Sequence, residues 1–226
     1  MNSTINLKTI LISFIFCIGC QKSSQMETPY ALLTIFDYTG SVATQDKEDY
    51  ARISDVVLDK FSILRGDQIG TSFINSNSSD QRTFLFNYKK KTRSFDNATA
   101  KYNNASFAKY AKEVKEKLKL SEGSGSSDVY GALSHASDFF RSIDYNDSTF
   151  NKVLIICSDG QHNTSDRAQI IPQGLNNVSV LWLGLSGAGL ENKSYIEEIL
   201  KEFGCLSTRL TGRNGIEMFI SGNLKI

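Results

Sequence analysis

The chain has 226 residues, of which 40% are hydrophobic and 22% are charged, and its formal net charge is +1. This composition is typical of a soluble globular protein, and the length is enough for one well-packed domain. A nearly neutral chain argues against nucleic acid as the main partner, because its one short basic cluster, Lys89-Lys90-Lys91, is typical of a solvated turn.

Residues 1–19 predict a signal peptide. Lys8 is their only charged side chain, Thr9 to Ile18 form an apolar segment, and Gly19 stands directly before Cys20. A membrane-spanning helix needs ~20 apolar residues, about twice the length of this segment. The arrangement resembles a bacterial lipoprotein signal, although Cys17 stands where that pattern usually has leucine. The resemblance implies cleavage before Cys20 and lipidation of its thiol, with an ordinary secretory signal as the alternative. Residues 20–29 then form the lipidated cysteine and a polar tether.

The chain then begins a domain with Tyr30 to Phe36, an apolar run that predicts a strand covered on both faces and stops at Asp37. Periodicity predicts the later elements. They are helices over 46–64, 105–120, 128–143, 191–203 and 214–224, strands over 68–74, 82–88, 152–157, 178–185 and 205–210, and irregular chain over 92–104. Strands alternating with helices predict a single doubly wound, Rossmann-like α/β domain over 30–226. Its sheet is mostly parallel with one antiparallel edge strand, and helices cover both faces.

The loop after the first strand carries oxygen-bearing side chains at alternate positions, namely Asp37, Thr39 and Ser41, and Gly40 permits a tight turn. Alternate side chains in an extended backbone project the same way, so the three oxygen groups converge. They do so at the carboxyl end of a buried strand, where open parallel sheets place their ligands. Hard oxygen ligands suit Mg²⁺, Mn²⁺ or Ca²⁺, and not zinc or copper.

Two further loops, Ser127-Asp128 before a helix and Ser158-Asp159-Gly160 after a strand, complete a pattern. Together the three loops resemble the von Willebrand factor A-domain family, which includes the inserted domains of integrins. In that family an Asp-x-Ser-x-Ser motif, a later Thr and a strand-terminal Asp-Gly build the metal-ion-dependent adhesion site. The positions that match are Asp37, Thr39, Ser41, Ser127 and Asp159. Thr39 and Ser127 each exchange one hydroxyl residue for the other, and Ser124 and Ser126 are alternatives to Ser127.

The resemblance implies a cation held by two carboxylates, three hydroxyls and water, preferably Mg²⁺ or Mn²⁺ and less suitably Ca²⁺. In this reading the hydroxyls bind directly, Asp37 or Asp159 acts through water, and Asp128 and Ser158 orient the ligands. A vacant position on the cation would take an Asp or Glu carboxylate from a partner protein. The alternative is that Asp37 and Asp159 only cap helices while the hydroxyls bond to loop amides.

These features predict a membrane-anchored, cation-dependent protein-binding domain that acts in adhesion or assembly and is not an enzyme. One alternative is a non-adhesive accessory subunit of a membrane enzyme or export complex. Another is a hydrolase that uses Ser158 or Ser41, although the sequence has no Gly-x-Ser-x-Gly motif. His162 is placed to line the metal face, and His135 reads as an ordinary helix residue. The expected location is the bacterial cell envelope, with the outer membrane favoured because Gln21, and not Asp, follows Cys20.

The two remaining expectations concern the cysteines and the last helix. Cys157 and Cys205 are expected at opposite edges of the sheet, ~20 Å apart along a strand. That distance exceeds the ~7 Å limit for a disulfide, so both are predicted to be free, buried thiols. The last helix ends near Ile226 with no downstream domain to pull it, which predicts no relayed affinity switch.

Overall fold

The computed structural model describes residues 28–42, 44–61, 63, 65–78, 83–86, 97–120, 125–146, 150–162, 174–185 and 190–224. The strands are β1 (Tyr30–Asp37), β2 (Gln68–Ile74), β3 (Phe84–Leu85), β4 (Asn151–Cys157), β5 (Val178–Leu183) and β6 (Ser207–Leu210). They form one sheet in the order β3-β2-β1-β4-β5-β6, in which β3 is antiparallel and the other neighbours are parallel. The predicted α/β fold class is confirmed.

Helices pack on both faces of this sheet. They are α1 (Thr44–Lys60), α2 (Asn97–Leu120), α3 (Val129–Asn146), α4 (Leu190–Glu202) and α5 (Arg213–Ile220). α1 connects the parallel neighbours β1 and β2, and α4 connects the parallel neighbours β5 and β6, so these connections are crossovers, as the alternating sequence pattern predicts.

The central strand β1 is buried from Ala31 to Asp37 because both of its faces are covered. Leu33 and Ile35 pack in one core cluster with residues of α3 and α4. Leu32 and Phe36 pack on the other face with residues of α1, α2 and α5. Each such side chain contributes about 1.5–3 kcal/mol through burial. This explains why the sequence of β1 is a continuous apolar run and does not alternate.

The topology brings the ends of β1 and β4 together. β1 pairs with β2 on one side and with β4 on the other, and Phe36 lies opposite Cys157. The chain therefore leaves β1 in one direction across the sheet and returns at β4 on the opposite side. This reversal is the switch point at which open α/β sheets leave a crevice. The loops after Asp37 and after Cys157 both open into it.

The structure corrects several predicted element bounds. Helix α2 begins at Asn97, whereas 92–104 was predicted to be irregular. Its polar first two turns are held by packing, since Asn103 is fully buried, and such packing outweighs weak intrinsic helix propensity. Strand β3 is only Phe84–Leu85, and β6 begins at Ser207 because Cys205 forms an isolated antiparallel bridge with Asn176. The other elements differ from prediction by up to four residues at an end.

The two thiols of the domain are free, as predicted. Cys157 is fully buried, and burial raises its pKa well above the usual range. Cys205 is only half-buried, which corrects the prediction for that residue; burial nonetheless raises its pKa to about 12. Neither thiol is therefore ionised at neutral pH, and both are weak nucleophiles.

Nothing in the described part of the chain is a helix with the length and apolar character needed to cross a membrane. The predicted signal peptide, Cys20 and most of the tether fall on residues 1–27, which lie outside the described residues. The first contact with the sheet is made by Pro29, whose carbonyl accepts a hydrogen bond of 2.9 Å from the amide of Asn151.

Candidate metal centre

The first loop is organised around the carboxylate of Asp37, which is fully buried at the end of β1. Its Oδ1 accepts hydrogen bonds from the amide of Thr39 at 2.9 Å and from Thr39 Oγ1 at 2.6 Å. Thr39 Oγ1 lies 3.1 Å from Ser41 Oγ. The three oxygen-bearing residues predicted from the first loop thus form one continuous cluster, which reaches from the core to the half-exposed Ser41.

Lys47 of α1 contacts backbone carbonyls of this loop. Lys47 Nζ donates to the carbonyl of Thr39 at 2.7 Å and lies 3.4 Å from that of Tyr38. The ammonium group is therefore directed at backbone carbonyls, and no ion pair joins it to Asp37 in the described residues. The loop conformation is fixed without neutralising the buried carboxylate.

The other oxygen of Asp37 receives groups from the two remaining loops. Ser158 Oγ donates to Asp37 Oδ2 at 2.7 Å, and Ser127 Oγ donates to the same oxygen over a longer 3.4 Å. Ser158 Oγ also accepts the amide of Gly160 at 3.0 Å, so its position is set from both sides. Three loops that are far apart in the sequence therefore meet at one carboxylate. Ser126 is partly exposed, and Ser124 lies outside the described residues.

The carboxylate of Asp159 is the second acid of the cluster and is 2% exposed. Its Oδ1 accepts the amide of Gln161 at 3.0 Å, whereas its buried Oδ2 has no hydrogen-bond partner in the described structure. A buried carboxylate oxygen without a partner costs free energy, on the order of 1–3 kcal/mol or more. Such an atom points to a ligand that supplies the missing contact.

Burial raises the pKa of Asp37 above its usual value, and the negative charge of Asp159 raises it further. The hydrogen bonds from Ser158 and Thr39 oppose this shift by stabilising the ionised form. Among the described residues, no lysine, arginine or histidine forms an ion pair with either carboxylate. Two buried acids thus lie near each other without an ion pair to a basic side chain in the described part of the chain, which is an electrostatic condition that a bound cation relieves.

The donors of this cluster are all oxygens. The described residues contain no group of three or more His, Cys, Asp or Glu side chains arranged for a metal. A closed site built from such ligands is therefore not found there, and the candidate centre has two carboxylates supplemented by hydroxyls. Magnesium and manganese accept this donor set and retain water in the remaining positions. The residues present fit a hard divalent cation.

Asp128 was predicted to orient the ligands, but its carboxylate bonds to backbone amides outside the cluster. Its Oδ1 accepts the amide of Gly131 at 2.8 Å and caps α3, while its Oδ2 accepts the amide of Ser78 at 3.0 Å. Its own amide donates to the carbonyl of Asn75 at 2.8 Å. Asp128 therefore ties the start of α3 to the turn after β2, and it acts on the cluster only through the adjacent Ser127.

Sequence reasoning missed Tyr50, which it treated as an apolar residue of a helix stripe. The ring is buried on α1, and its hydroxyl lies 3.0 Å from the carbonyl of Asp37 and 3.1 Å from that of Cys157. Burial raises the pKa of Tyr50 well above its usual value, so the hydroxyl keeps its proton and donates. One side chain thus joins the ends of β1 and β4, next to the residues that begin the cluster loops. Only the choice of Tyr over Phe at this position signalled such a role.

We expect Tyr50→Phe to lower the free energy of unfolding by about 1–1.5 kcal/mol, because both strand-end carbonyls lose their shared donor. This corresponds to a fall of roughly 2–6 °C in melting temperature. We also expect weaker cation binding, since the backbone of Asp37 loses a tether. Thermal melts and calorimetric titration with Mn²⁺ measure the two effects.

The matched control is Tyr110→Phe, because the buried hydroxyl of Tyr110 lies 2.7 Å from Thr71 Oγ1 on a part of the sheet away from the cluster. It should cost similar stability and leave cation affinity unchanged. Equal affinity losses in both variants would show that Tyr50 acts through general stability alone.

Comparison with known proteins was made for sequence and for structure. No protein-family model matches the sequence, and no curated protein matches it. Among solved structures, a manganese-loaded TRAP protein of Plasmodium vivax is similar in fold, with a TM-score of 0.51 and 18% identity over 85% of this chain and 72% of that one. The conserved hypothetical protein BatB of Bacteroides thetaiotaomicron is also matched, with a TM-score of 0.44 and 16% identity over 85% of this chain and 96% of that one.

The TRAP protein contains a von Willebrand factor A domain. At this level of identity the likeness concerns the fold. The chain therefore folds as a von Willebrand factor A-like domain, as the resemblance in its loops predicted.

Proposed function

We propose that this protein is a cation-dependent protein-binding domain anchored at the bacterial cell envelope, where it serves adhesion or the assembly of a complex. The observation that carries the proposal is the pair of buried carboxylates, Asp37 and Asp159, which share a site without any basic partner in the described structure. One of their oxygens, Asp159 Oδ2, is buried and has no hydrogen-bond partner among the residues that the structure describes. The similar TRAP protein is manganese-loaded, which supports a divalent cation site in this fold.

The residues that would hold the cation are Asp37, Thr39, Ser41, Ser127 and Asp159. Ser158 would orient Asp37 through its 2.7 Å hydrogen bond, and Asp128 would fix the loop that carries Ser127. When bound, Mg²⁺ or Mn²⁺ supplies a positive charge that attracts an anionic oxygen from outside. The chain would supply two carboxylates and neutral hydroxyls, and a water-filled coordination position would remain for a further carboxylate.

The partner we propose is a protein that offers an Asp or Glu side chain. Ser41 is half-exposed and Gly40 exposed on the loop that carries Asp37, and exposed Gln161 lies on the loop that carries Asp159. These residues are uncharged, so they do not repel an acidic side chain. A carboxylate on the cation would then supply most of the binding energy, with the loops adding shape selectivity.

The anchoring part of the proposal depends on residues 1–29. A signal peptide over 1–19, lipid on Cys20 and a nine-residue tether would keep the domain within ~30 Å of the membrane, because an extended residue spans at most ~3.3–3.6 Å. Mass spectrometry of the protein extracted from cells tests this part. Loss of residues 1–19 and a diacylglyceryl or acyl mass on Cys20 are expected, and an unmodified Cys20 would contradict it.

The hydrolase alternative loses support from the geometry. Ser158 Oγ donates to Asp37, and His162 Nδ1 instead accepts the amide of Val129 at 3.2 Å. The other histidine, His135, is hydrogen-bonded to Thr83. No serine–histidine pair of the kind that activates a nucleophile is found among the described residues. Binding without turnover is the function that this site supports best.

Calorimetric titration of the purified protein with Mg²⁺ and Mn²⁺ tests the proposal. We expect saturable binding of one cation in the wild-type protein and none in Asp37→Ala. The control is Asp55→Ala, which removes an exposed carboxylate of α1 that pairs with Lys115 at 2.7 Å. Partner capture from membrane extracts with and without EDTA then tests the dependence on cation. A wild-type protein that binds neither cation would overturn the proposed function.

A further inference from the structure

One hydrogen bond connects two of the three loops at the candidate metal centre. The amide of Val129, the first residue of α3, donates to His162 Nδ1 at 3.2 Å. Ser127 lies two residues before Val129, and Asp159 lies three residues before His162. The imidazole also meets the ring of Tyr130 edge-on, with centroids 5.0 Å apart and planes at 77°. His162 therefore lies between the segment that carries Ser127 and the segment that carries Asp159.

The chemistry of this bond requires a neutral histidine. The first amides of a helix have no acceptor within the helix, so Val129 depends on a group from outside. An imidazole nitrogen accepts a hydrogen bond only while it carries no proton, which assigns the proton of neutral His162 to Nε2. Protonation of Nδ1 would place two donors against each other. It would also put a positive charge at the positive end of α3.

We propose that His162 is a positioning residue of the cation site, which holds the Ser127 and Asp159 loops in register while neutral and releases them when protonated. This inference rests on the proposed cation binding. Ser127 reaches Asp37 over a long 3.4 Å, whereas Ser158 does so at 2.7 Å. Of the two serine contacts to Asp37, that of Ser127 is therefore the longer one, and the hydrogen bond at Val129 helps to fix the segment that carries Ser127.

The described residues place several ionisable groups around His162. Asp128 caps α3 directly before Val129, Tyr130 contacts the imidazole, and Tyr195 of α4 lies behind Tyr130 with ring centroids 6.4 Å apart. Asp159 is the nearest acid on the same loop. Between pH 8 and 5 histidine is the side chain among these types that ordinarily changes charge. A variant that changes only position 162 leaves the other groups in place and therefore isolates its titration.

Two variants and two pH values test the inference, with Mn²⁺ as the probe. His162→Ala removes the acceptor, whereas His162→Asn keeps an oxygen near the position of Nδ1 and does not titrate. At pH 7.5 we expect Mn²⁺ affinity to fall about fivefold in the alanine variant, the effect of one lost hydrogen bond, and to stay within about twofold in the asparagine variant. Between pH 7.5 and 5.5 the wild-type protein should lose about fivefold more affinity than the asparagine variant.

Hydrogen exchange at the Val129 amide in cation-free protein gives a readout that does not depend on the metal. We expect protection at pH 7.5 in the wild type and in His162→Asn, and faster exchange in His162→Ala. A wild-type protein that binds Mn²⁺ as the alanine variant does, or shares the pH profile of the asparagine variant, overturns this inference alone. So does an unprotected Val129. If Val129 is protected but the wild type binds no Mn²⁺, the proposed function falls and this inference with it.

Discussion

Replacing Asp37 with asparagine should raise the melting temperature of the cation-free protein and at the same time remove its stabilisation by Mg²⁺ or Mn²⁺. In a domain of this size each kcal/mol gained would appear as a rise of roughly 2–4 °C. In the wild type, a cation at one hundred times its dissociation constant should add about 2.7 kcal/mol, and in the variant it should add nothing. A single substitution would thus separate the destabilisation caused by the buried carboxylate from the stabilisation that a bound cation supplies.

The expected rise in melting temperature follows from the pKa of Asp37. Burial, and then the charge of Asp159, raise this pKa above its unfolded value. A carboxyl of this kind stabilises the fold below its unfolded pKa, and that stability is lost as the pH rises through the folded pKa. Above the folded pKa the ionised Asp37 therefore destabilises the cation-free protein. Asparagine keeps an oxygen for the two donors of Thr39, while its amide can donate to Ser158 and Ser127, whose hydroxyls turn to accept.

Thermal melts in EDTA, and again with Mn²⁺ in excess, measure both effects. The difference between variant and wild type in EDTA should shrink as the pH is lowered toward the range in which Asp37 takes up its proton. Asp67→Asn is the matched control, because Asp67 is also fully buried but pairs with Arg65 Nη2 at 2.5 Å. That change should cost about 3 kcal/mol, since it breaks a buried pair. A cation-free Asp37→Asn protein that melts below the wild type would refute the electrostatic account.

Replacing Trp182 with phenylalanine should produce the largest loss of stability among single changes near the cluster. Trp182 lies in β5, is fully buried, and donates from Nε1 to the carbonyl of Ser158 at 2.9 Å. The change opens a cavity and leaves that carbonyl without its donor. We expect a cost of about 3 kcal/mol from the two effects, and a melting temperature lower by roughly 6–12 °C.

Circular dichroism should follow this melt, because Trp182 is the only tryptophan and its loss removes the intrinsic tryptophan signal. Cation affinity should fall as well, since Ser158 is the residue that fixes Asp37 Oδ2. The control is Phe203→Leu, a buried residue of the same core cluster with no hydrogen bond to the cluster loops. It should cost about 1 kcal/mol and leave cation binding intact. Unchanged affinity in Trp182→Phe would mean that Ser158 does not depend on β5 for its position.

The fold could be predicted from the sequence where a segment is fully buried, because its apolar pattern then allows only one assignment of secondary structure. The apolar runs of β1 and β4 predict strands covered on both faces, and the carboxylates that end them mark the sheet edge at which ligands bind. Because parallel strands end at the same edge, the meeting of Asp37 with the loop of Asp159 follows from the order of elements alone. The oxygen donors were predicted from residue type, and whether they hold a cation stays a prediction.

The remaining details depend on contacts between distant segments. The start of α2 at Asn97 is set by packing, since the polar residues there give no periodic signal. Tyr50 and His162 bond to backbone groups, and a backbone acceptor or donor leaves no trace in the sequence of the segment that provides it. Asp128 looked like a neighbour of the ligands because it follows Ser127, yet its carboxylate turns away to α3 and to Ser78.

The cluster joins residues 121 positions apart, from Asp37 to Ser158. Because closing so long a loop is costly, we expect this contact to form after the folding transition state. A cation bound there would then strengthen the folded state more than the transition state. Divalent cations should therefore prolong the lifetime of the folded protein against unfolding, while the rate at which it first folds stays nearly the same.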